Sequence, residues 1–310
     1  MPSRKATRNG PSPGGTAGPA ALVRRWASIV KFWTFPIGVI PVTVGAALYP
    51  SGFSPFFYVL MVSGVVSLNF SANMLNDLFD FRHGVDKRTD IAVMRRVHPL
   101  ISGNATQSKL AAAAILLIVI ASLCGAYIFL LRGMPILAAG LAGILSAVFY
   151  TAGRENVKST GLGELLVFAV YGPIITASAY FVEAGTLSYA ALAASLPVGI
   201  VISMILLANN IRDIKSDSDA GLSTLPVRLG PIRAKLLFRS MAVAAYASVI
   251  LFSALGVIPL FSLVTLASIP YAGSLIGAVA SPRKAPPNSA ELGSRFAIAF
   301  GALLVLGFLL

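Results

Sequence analysis

The sequence predicts an all-α, polytopic membrane protein with nine transmembrane helices and a cytoplasmic amino terminus, and three observations carry that prediction. Hydrophobic residues make up 56% of the 310-residue chain and charged residues only 11%, less than half the ~25% of a soluble domain. A hydropathy window of roughly 19 residues finds nine apolar stretches near the length a bilayer requires. When these stretches are threaded back and forth, 23 of the 24 Lys and Arg residues fall on one side and only Arg132 on the other. Basic residues stay cytoplasmic, so the asymmetry sets the orientation and places the carboxyl terminus outside.

The elements follow in order. Residues 1–28 are rich in Ser, Pro, Gly, Ala and Arg, contain no acid and show no periodicity, and are expected to form a disordered basic tail ahead of a single membrane domain at 29–310. The first span, 32–49, follows the tail cations and contains Pro36 and Pro41. The second, 55–75, leads into the six cations from Arg82 to Lys109. The third, 110–131, ends at Arg132, and the fourth, 134–151, returns to Arg154 and Lys158. The fifth and sixth, 163–183 and 189–208, lead to the cations from Arg212 to Arg239. The last three, 236–255, 259–280 and 295–310, bracket Arg283 to Arg295. No loop is long enough to fold alone.

Composition also excludes functions. The single cysteine, Cys124, lies in an apolar run, which removes disulfide frameworks, CxxC redox chemistry and thiolate zinc sites together. The net charge of +13 follows membrane topology rather than a binding groove, so no nucleic-acid partner is expected, and no nucleotide motif is present. The expected location is the cell (inner) membrane, multi-pass, with the lipid bilayer as surroundings.

Six of the eleven acids fall in two clusters. One is Asn73-Met-Leu-Asn76-Asp77-Leu-Phe-Asp80-Phe-Arg82-His83-Gly84-Val-Asp86; the other is Asn209-Asn210-Ile-Arg212-Asp213-Ile-Lys215-Ser-Asp217-Ser-Asp219. Each starts at the cytoplasmic end of a span, the second and the sixth, so both lie on one side of the membrane. Asn76 and Asp80, Asn73 and Asp77, Asn209 and Asp213, and Asp213 and Asp217 are each four apart, which puts every pair on one helix face a turn apart. Near the hydrocarbon edge an ionisable group costs on the order of 3 kcal/mol, so stacked carboxylates call for a compensating cation. Hard oxygen donors without Cys or clustered His select Mg²⁺, which binds one or two carboxylates while keeping waters and substrate phosphates. Two half-sites of this kind fit a bridging diphosphate. Arg82, Lys87, Arg154, Lys158, Arg212 and Arg228 supply cations in the same layer. Solvated helix ends are the plain alternative, and two clusters with the same geometry on one side argue against it.

These residues resemble a known family. Asn76-Asp77-Leu-Phe-Asp80-Phe-Arg82-His-Gly84-Val-Asp86 is similar to the first aspartate-rich motif of the UbiA superfamily of intramembrane prenyltransferases. Asn209-Asn210-Ile-Arg212-Asp213-Ile-Lys-Ser-Asp217, followed by Gly221-Leu-Ser-Thr224-Leu225-Pro-Val-Arg228-Leu229-Gly230, resembles the second, in the form of the MenA branch that prenylates 1,4-dihydroxy-2-naphthoate for menaquinone. Phe35-Pro36 to Gly45, His98-Pro99 to Gly103, and Tyr150-Thr151 to Gly163-Glu164 agree in order.

The resemblance implies a nine-helix UbiA-like bundle in which Asn76, Asp77, Asp80, Asp86, Asp213 and Asp217 hold Mg²⁺. Asp80, Asp213 and Asp217 would be the catalytic acids, and Asn76, Asn209, Arg82, Arg154, Lys158 and Arg212 would bind the diphosphate of a polyprenyl donor opposite an aromatic acceptor. Asp86 matches the MenA spacing of the third acid. Three departures lie near where the acceptor would approach: Lys31-Phe32 replaces Arg-Pro, Leu222 replaces a basic residue, and Arg154-Glu155 replaces a Gly-rich stretch.

The reaction so implied is alkylation of an aromatic ring by an isoprenoid cation. Phe79, Phe81, Phe149, Tyr150, Phe168, Tyr171 and Tyr180 are near enough in topology to offer cation–π faces, with plain packing as the alternative for each. Glu164 reads equally as a functional acid and as a helix-start charge. Other acceptors within the superfamily (another quinone precursor, a lipid, heme, or none in a terpene cyclase) stay open. A CDP-alcohol phosphotransferase lacks its motif here. A cation transporter should carry its acids at mid-membrane in broken helices. Oligomeric state, tail length and metal count leave no mark in the sequence.

Overall fold

The computed structural model describes residues 18–85, 98–153, 156–281 and 289–310. Every regular element among them is helical. Pro19–Ile29 forms α1, so helix begins well inside the stretch expected to be tail; Pro19 at the first turn starts it without losing a needed N–H donor. A short 3₁₀ turn, Phe32–Thr34, leads into α2, Phe35–Ala47. The remaining helices are α3 (Pro55–Arg82), α4 (Gln107–Arg132), α5 (Met134–Phe149), α6 (Gly163–Ala184), α7 (Tyr189–Asp219), α8 (Leu225–Ala254), α9 (Leu260–Ala280) and α10 (Ser289–Leu309).

Among the described residues, seven of these helices, α3, α4 and α6 to α10, are long and apolar enough to cross a bilayer alone, fewer than the nine expected. The other two stretches differ for physical reasons. The first is short: Phe32–Ala47 passes the length test only together with α1, which it meets at 55°. The fourth is short, since the 16 residues of α5 rise ~24 Å against a hydrocarbon core of ~30 Å.

Helix length also positions the candidate site. The 28 residues of α3 and the 31 of α7 reach roughly 42 and 46 Å. They therefore outlast the hydrocarbon by about two and three turns, and those turns carry Asn76–Arg82 and Asn209–Asp219.

Helix α7 is the hub of the bundle. Val198, Ile202, Met204 and Leu207 are buried against Phe238, Ala242 and Val249 of α8 and Phe296, Phe300 and Leu304 of α10. On its other side it crosses α6 where a wide helical turn, Val170–Ile174, absorbs Pro173. That crossing needs two glycines: a Cβ on Gly199 would lie 2.7 Å from the Phe168 carbonyl oxygen, and one on Gly172 would lie 2.8 Å from that of Ser195. Small residues at a crossing let membrane helices approach closely without a hydrophobic drive between them. Outward faces are apolar, as at Leu116, Leu123 and Leu130 of α4, which suits contact with lipid.

Candidate active site

The overhangs of α3 and α7 open onto one cavity of about 940 Å³. Asn76, Asp77 and Asp80 line it from α3; Asn209, Asn210, Arg212, Asp213 and Asp217 line it from α7. Lys31, at the break between α1 and α2, and Tyr150 and Lys158, between α5 and α6, close the same end. Residues some 130 positions apart in sequence thus line one cavity, and the i, i+4 spacing turns the acids of each motif to one face of its own helix.

Each acid has a partner. Asp80 is buried, and its Oδ2 accepts from Lys158 Nζ at 2.8 Å and from Asn76 Nδ2 at 2.9 Å. Asp77, 1% exposed, pairs with Lys31 Nζ at 3.1 Å. Arg212 grips Asp213 with two donors, Nε at 2.8 Å and Nη2 at 2.6 Å, the bidentate geometry a guanidinium favours. Thr224 donates to Asp217 Oδ2 at 3.2 Å. Burial works against the Lys158 ammonium, but Asp80, Tyr150 and Asp217 outweigh it and push its pKa above the ordinary lysine value. Lys158 is therefore a fixed positive charge at neutral pH.

Lys31 reaches the site through an unusual backbone. It is the one non-glycine with positive φ among the described residues, at 56°, a conformation that costs energy unless its surroundings hold it. Here two asparagines do so. Asn69 Nδ2 donates to Thr34 Oγ1 at 2.9 Å, and Asn73 Nδ2 donates to the same oxygen at 3.0 Å and to the Val30 carbonyl at 3.4 Å. The Tyr171 hydroxyl donates to Asn69 Oδ1 at 2.8 Å, tying α6 into the same network.

Below the charged end the cavity turns apolar. It follows α3 from Asp80 down to Leu60, a run of ~30 Å along the helix. Its far wall on α4 and α5 is built from small side chains, among them Ala121, Cys124, Gly125, Ala139, Gly140 and Gly143. A Cβ placed on Gly125 or Gly140 would meet nothing within 4 Å. The shape suits a ligand with a charged head and a long apolar tail.

The sequence-derived residues sort as follows. Asn76, Asp77, Asp80, Lys158, Asn209, Arg212, Asp213 and Asp217 meet at the cavity. Asp86 and Arg154 lie outside the described residues. Arg82 does not line the cavity: its Nε donates to Gln107 Oε1 at 3.0 Å on the exposed side and its guanidinium sits 5.9 Å from the Phe79 ring. Being two residues past Asp80, it points some 200° around the helix from the acid face. Of the aromatics considered, Tyr150 and Tyr171 line the cavity, whereas Phe79 and Phe81 pack against His83 and His98, and Tyr180 against Tyr49.

Sequence reasoning did not place Lys31, Trp33, Asn69 or Asn210 in the site. Asn69, Asn73, Asn76 and Asp80 do form a stripe at helical spacing, and that signal was readable. Lys31 was not, because its position depends on a backbone turn that no spacing rule encodes.

The donor set fits a hard divalent cation as two separate halves. Among the described residues no three acids, histidines or cysteines converge closely enough to hold a metal unaided. Carboxylate and amide oxygens on two facing helices, with amino groups between them, suit Mg²⁺, which takes few protein ligands and completes its shell with water and phosphate.

A model of the UbiA prenyltransferase family matches residues 38–300. The chain belongs to the UbiA prenyltransferase family. Within that family it is 30% identical over 230 residues to a 1,4-dihydroxy-2-naphthoate octaprenyltransferase of Mycobacterium tuberculosis, covering 73% of this chain and 76% of that protein. It is 28% identical over 220 residues to UbiA prenyltransferase domain-containing protein 1 of Rattus norvegicus, covering 69% of this chain; the chain spans 63% of that relative's length, less than two thirds. In fold it is similar to a UbiA homolog from Aeropyrum pernix K1, at a TM-score of 0.67 and 18% identity over 89% of this chain and 98% of the other. It is also similar to a UbiA homolog from Archaeoglobus fulgidus bound to GPP and Mg²⁺, at 0.59 and 14% over 90% and 99%.

Proposed function

We propose that this UbiA-family chain transfers an isoprenyl group from an allylic polyprenyl diphosphate to an aromatic acceptor in a Mg²⁺-dependent reaction, with 1,4-dihydroxy-2-naphthoate as the acceptor. One observation carries the reaction class: two acid motifs from α3 and α7 line a single cavity that continues as an apolar gallery along α3. The similarity to a naphthoate octaprenyltransferase supports the acceptor, and the GPP and Mg²⁺ bound by a structural neighbour support the donor and metal.

In this reading Asn76, Asp77, Asp80, Asp213 and Asp217 hold the cation, which when bound neutralises charge on the diphosphate. Lys158 and Arg212 line the same cavity and stabilise the leaving diphosphate as it takes the electron pair of the breaking C–O bond. The apolar gallery keeps the tail and the allylic carbon away from water. Tyr150 and Tyr171 offer ring faces beside it, where a desolvated cation gains about 2 kcal/mol. The acceptor ring forms the new C–C bond and regains aromaticity by releasing CO₂ where the carboxylate-bearing carbon is alkylated, which yields the naphthoquinol, or a proton where another carbon is alkylated, which a cluster aspartate, a water or the diphosphate accepts.

The nine-span topology, with the amino terminus and the acid motifs on the cytoplasmic side, is part of the same proposal, supported by the near-complete segregation of Lys and Arg. The test is a transfer assay on the purified full chain in detergent with labelled geranylgeranyl diphosphate, Mg²⁺ and a panel of aromatic acceptors. A prenylated naphthoquinol product is expected. Diphosphate release with no naphthoate product moves the acceptor elsewhere, and no release from any allylic donor overturns the reaction class.

A further inference from the structure

The two motifs share an arrangement that the aspartates alone do not reveal. On α3 the Asn76 amide nitrogen donates to Asp80 at 2.9 Å, so its carbonyl oxygen is the end left for the cavity that Asn76 lines. On α7 the Asn210 amide nitrogen donates to Glu164 Oε1, also at 2.9 Å. Asn210 lines the cavity three residues before Asp213 and seven before Asp217, which places all three on one helix face.

A carboxylate accepts hydrogen bonds and cannot donate them, so Glu164 decides which way the Asn210 amide lies: nitrogen toward α6, oxygen away from it. Glu164 is itself 5% exposed, its backbone carbonyl accepts from Ser203 Oγ at 2.7 Å, and its Oε2 has no hydrogen-bond partner among the described residues. An acid serving only as a helix-start charge acts equally well in water, whereas burying one is costly. Asn209 is arranged differently, since its carbonyl oxygen accepts from Arg212 Nη1 at 3.4 Å.

We infer that Glu164 is a positioning residue that holds the Asn210 carbonyl oxygen as an oxygen ligand for the divalent cation on the α7 side. The inference rests on the metal–diphosphate reading above and extends it. Each motif then offers one neutral amide oxygen beside its carboxylates, which adds a ligand without a third negative charge next to Asp213 and Asp217. Groups that hold a metal ligand from behind typically govern affinity by 10–100-fold.

The experiment is a Mn²⁺ titration of the full chain in detergent, followed by the EPR signal of free Mn²⁺, with and without inorganic pyrophosphate. The wild type is expected to bind Mn²⁺ in a pyrophosphate-dependent manner. Asn210→Ala and Glu164→Leu should each weaken that binding about tenfold, and the double variant should be no weaker than Asn210→Ala alone. Glu164→Gln, whose side-chain oxygen still accepts the Asn210 amide, should stay within about threefold of wild type.

Unchanged Mn²⁺ affinity in Asn210→Ala overturns the inference and leaves the prenyl-transfer reading intact. A loss in Glu164→Leu that persists in the Asn210→Ala background assigns Glu164 to the scaffold and overturns its positioning role. Asn210→Ala also removes the hydrogen bond to the buried Glu164 carboxylate, so it is read in the Glu164→Gln background, where no buried charge is left unpaired; that pair decides the ligand role even where Glu164→Leu fails to fold. No pyrophosphate-dependent Mn²⁺ binding by the wild type overturns both readings.

Discussion

Replacing Lys158 with Met separates two contributions of its ion pair with Asp80. At 2.8 Å and an effective dielectric constant of about 20, the gross attraction is about 6 kcal/mol. Desolvation offsets most of it, because the lysine and aspartate side chains are only 12% and 8% exposed. Removing the ammonium takes a cationic partner from a buried carboxylate that keeps the Asn76 amide, at a cost of up to about 3–5 kcal/mol. Adding Asp80→Asn removes that charge and should restore most of the stability. Turnover behaves differently: loss of one fixed positive group at the departing diphosphate should lower it about 10²–10³-fold, and the second substitution cannot return it.

The assay pairs thermal unfolding in detergent with diphosphate release. Because the folded-state pKa of Lys158 is raised, the pair's contribution is fully present at neutral pH and is lost only as pH climbs past the ordinary lysine value toward the folded one. The stability difference between wild type and variant should therefore be flat from about pH 6 to 9. A Lys158→Met protein that melts like wild type, a double variant no more stable than the single one, or turnover within about threefold of wild type would each refute the reasoning.

Three further outcomes follow from the packing. Gly140→Phe fills open space in the tail gallery without backbone collision, so it should leave folding intact, cut turnover of geranylgeranyl and longer donors at least about tenfold, and spare dimethylallyl diphosphate. Gly199→Val drives carbon against the Phe168 carbonyl and should destabilise the protein by at least about 1–3 kcal/mol in detergent melts. Arg82→Ala, exposed and bonded to Gln107, should change turnover less than about twofold and stability by no more than about 0.5 kcal/mol.

The helical class and most of the acid site were legible because they rest on local rules. Period 3.6 put Asn76 above Asp80 and Asp213 above Asp217, and span parity put the two motifs together. Helix continuity past the membrane followed from the same spacing. What was not legible depends on tertiary detail. Lys31 looked like a departure from a family pattern, yet a left-handed backbone clamped by Asn69 and Asn73 aims it at Asp77. Arg82 sat in the motif and turned away, because two residues past an acid is nearly the opposite helix face. Hydropathy counted nine stretches but did not see that the first passes the length test only with α1, which meets it at 55°, since the Ser, Pro, Gly and Arg content of residues 1–28 read as tail. Glu164 read equally as a surface helix-start charge and as a functional acid; only the structure shows it buried against Asn210.

The central claim is that motifs 130 residues apart act as one site on one diphosphate. The measurement that tests it most directly is Mg²⁺-dependent diphosphate release from labelled geranylgeranyl diphosphate by Asp80→Asn and Asp213→Asn, each with its melting temperature recorded in detergent. The account predicts that either substitution alone lowers release at least about 100-fold while the protein stays folded, and that chelating the metal does the same to the wild type. Full release by either folded variant, or by wild type without divalent metal, would contradict it.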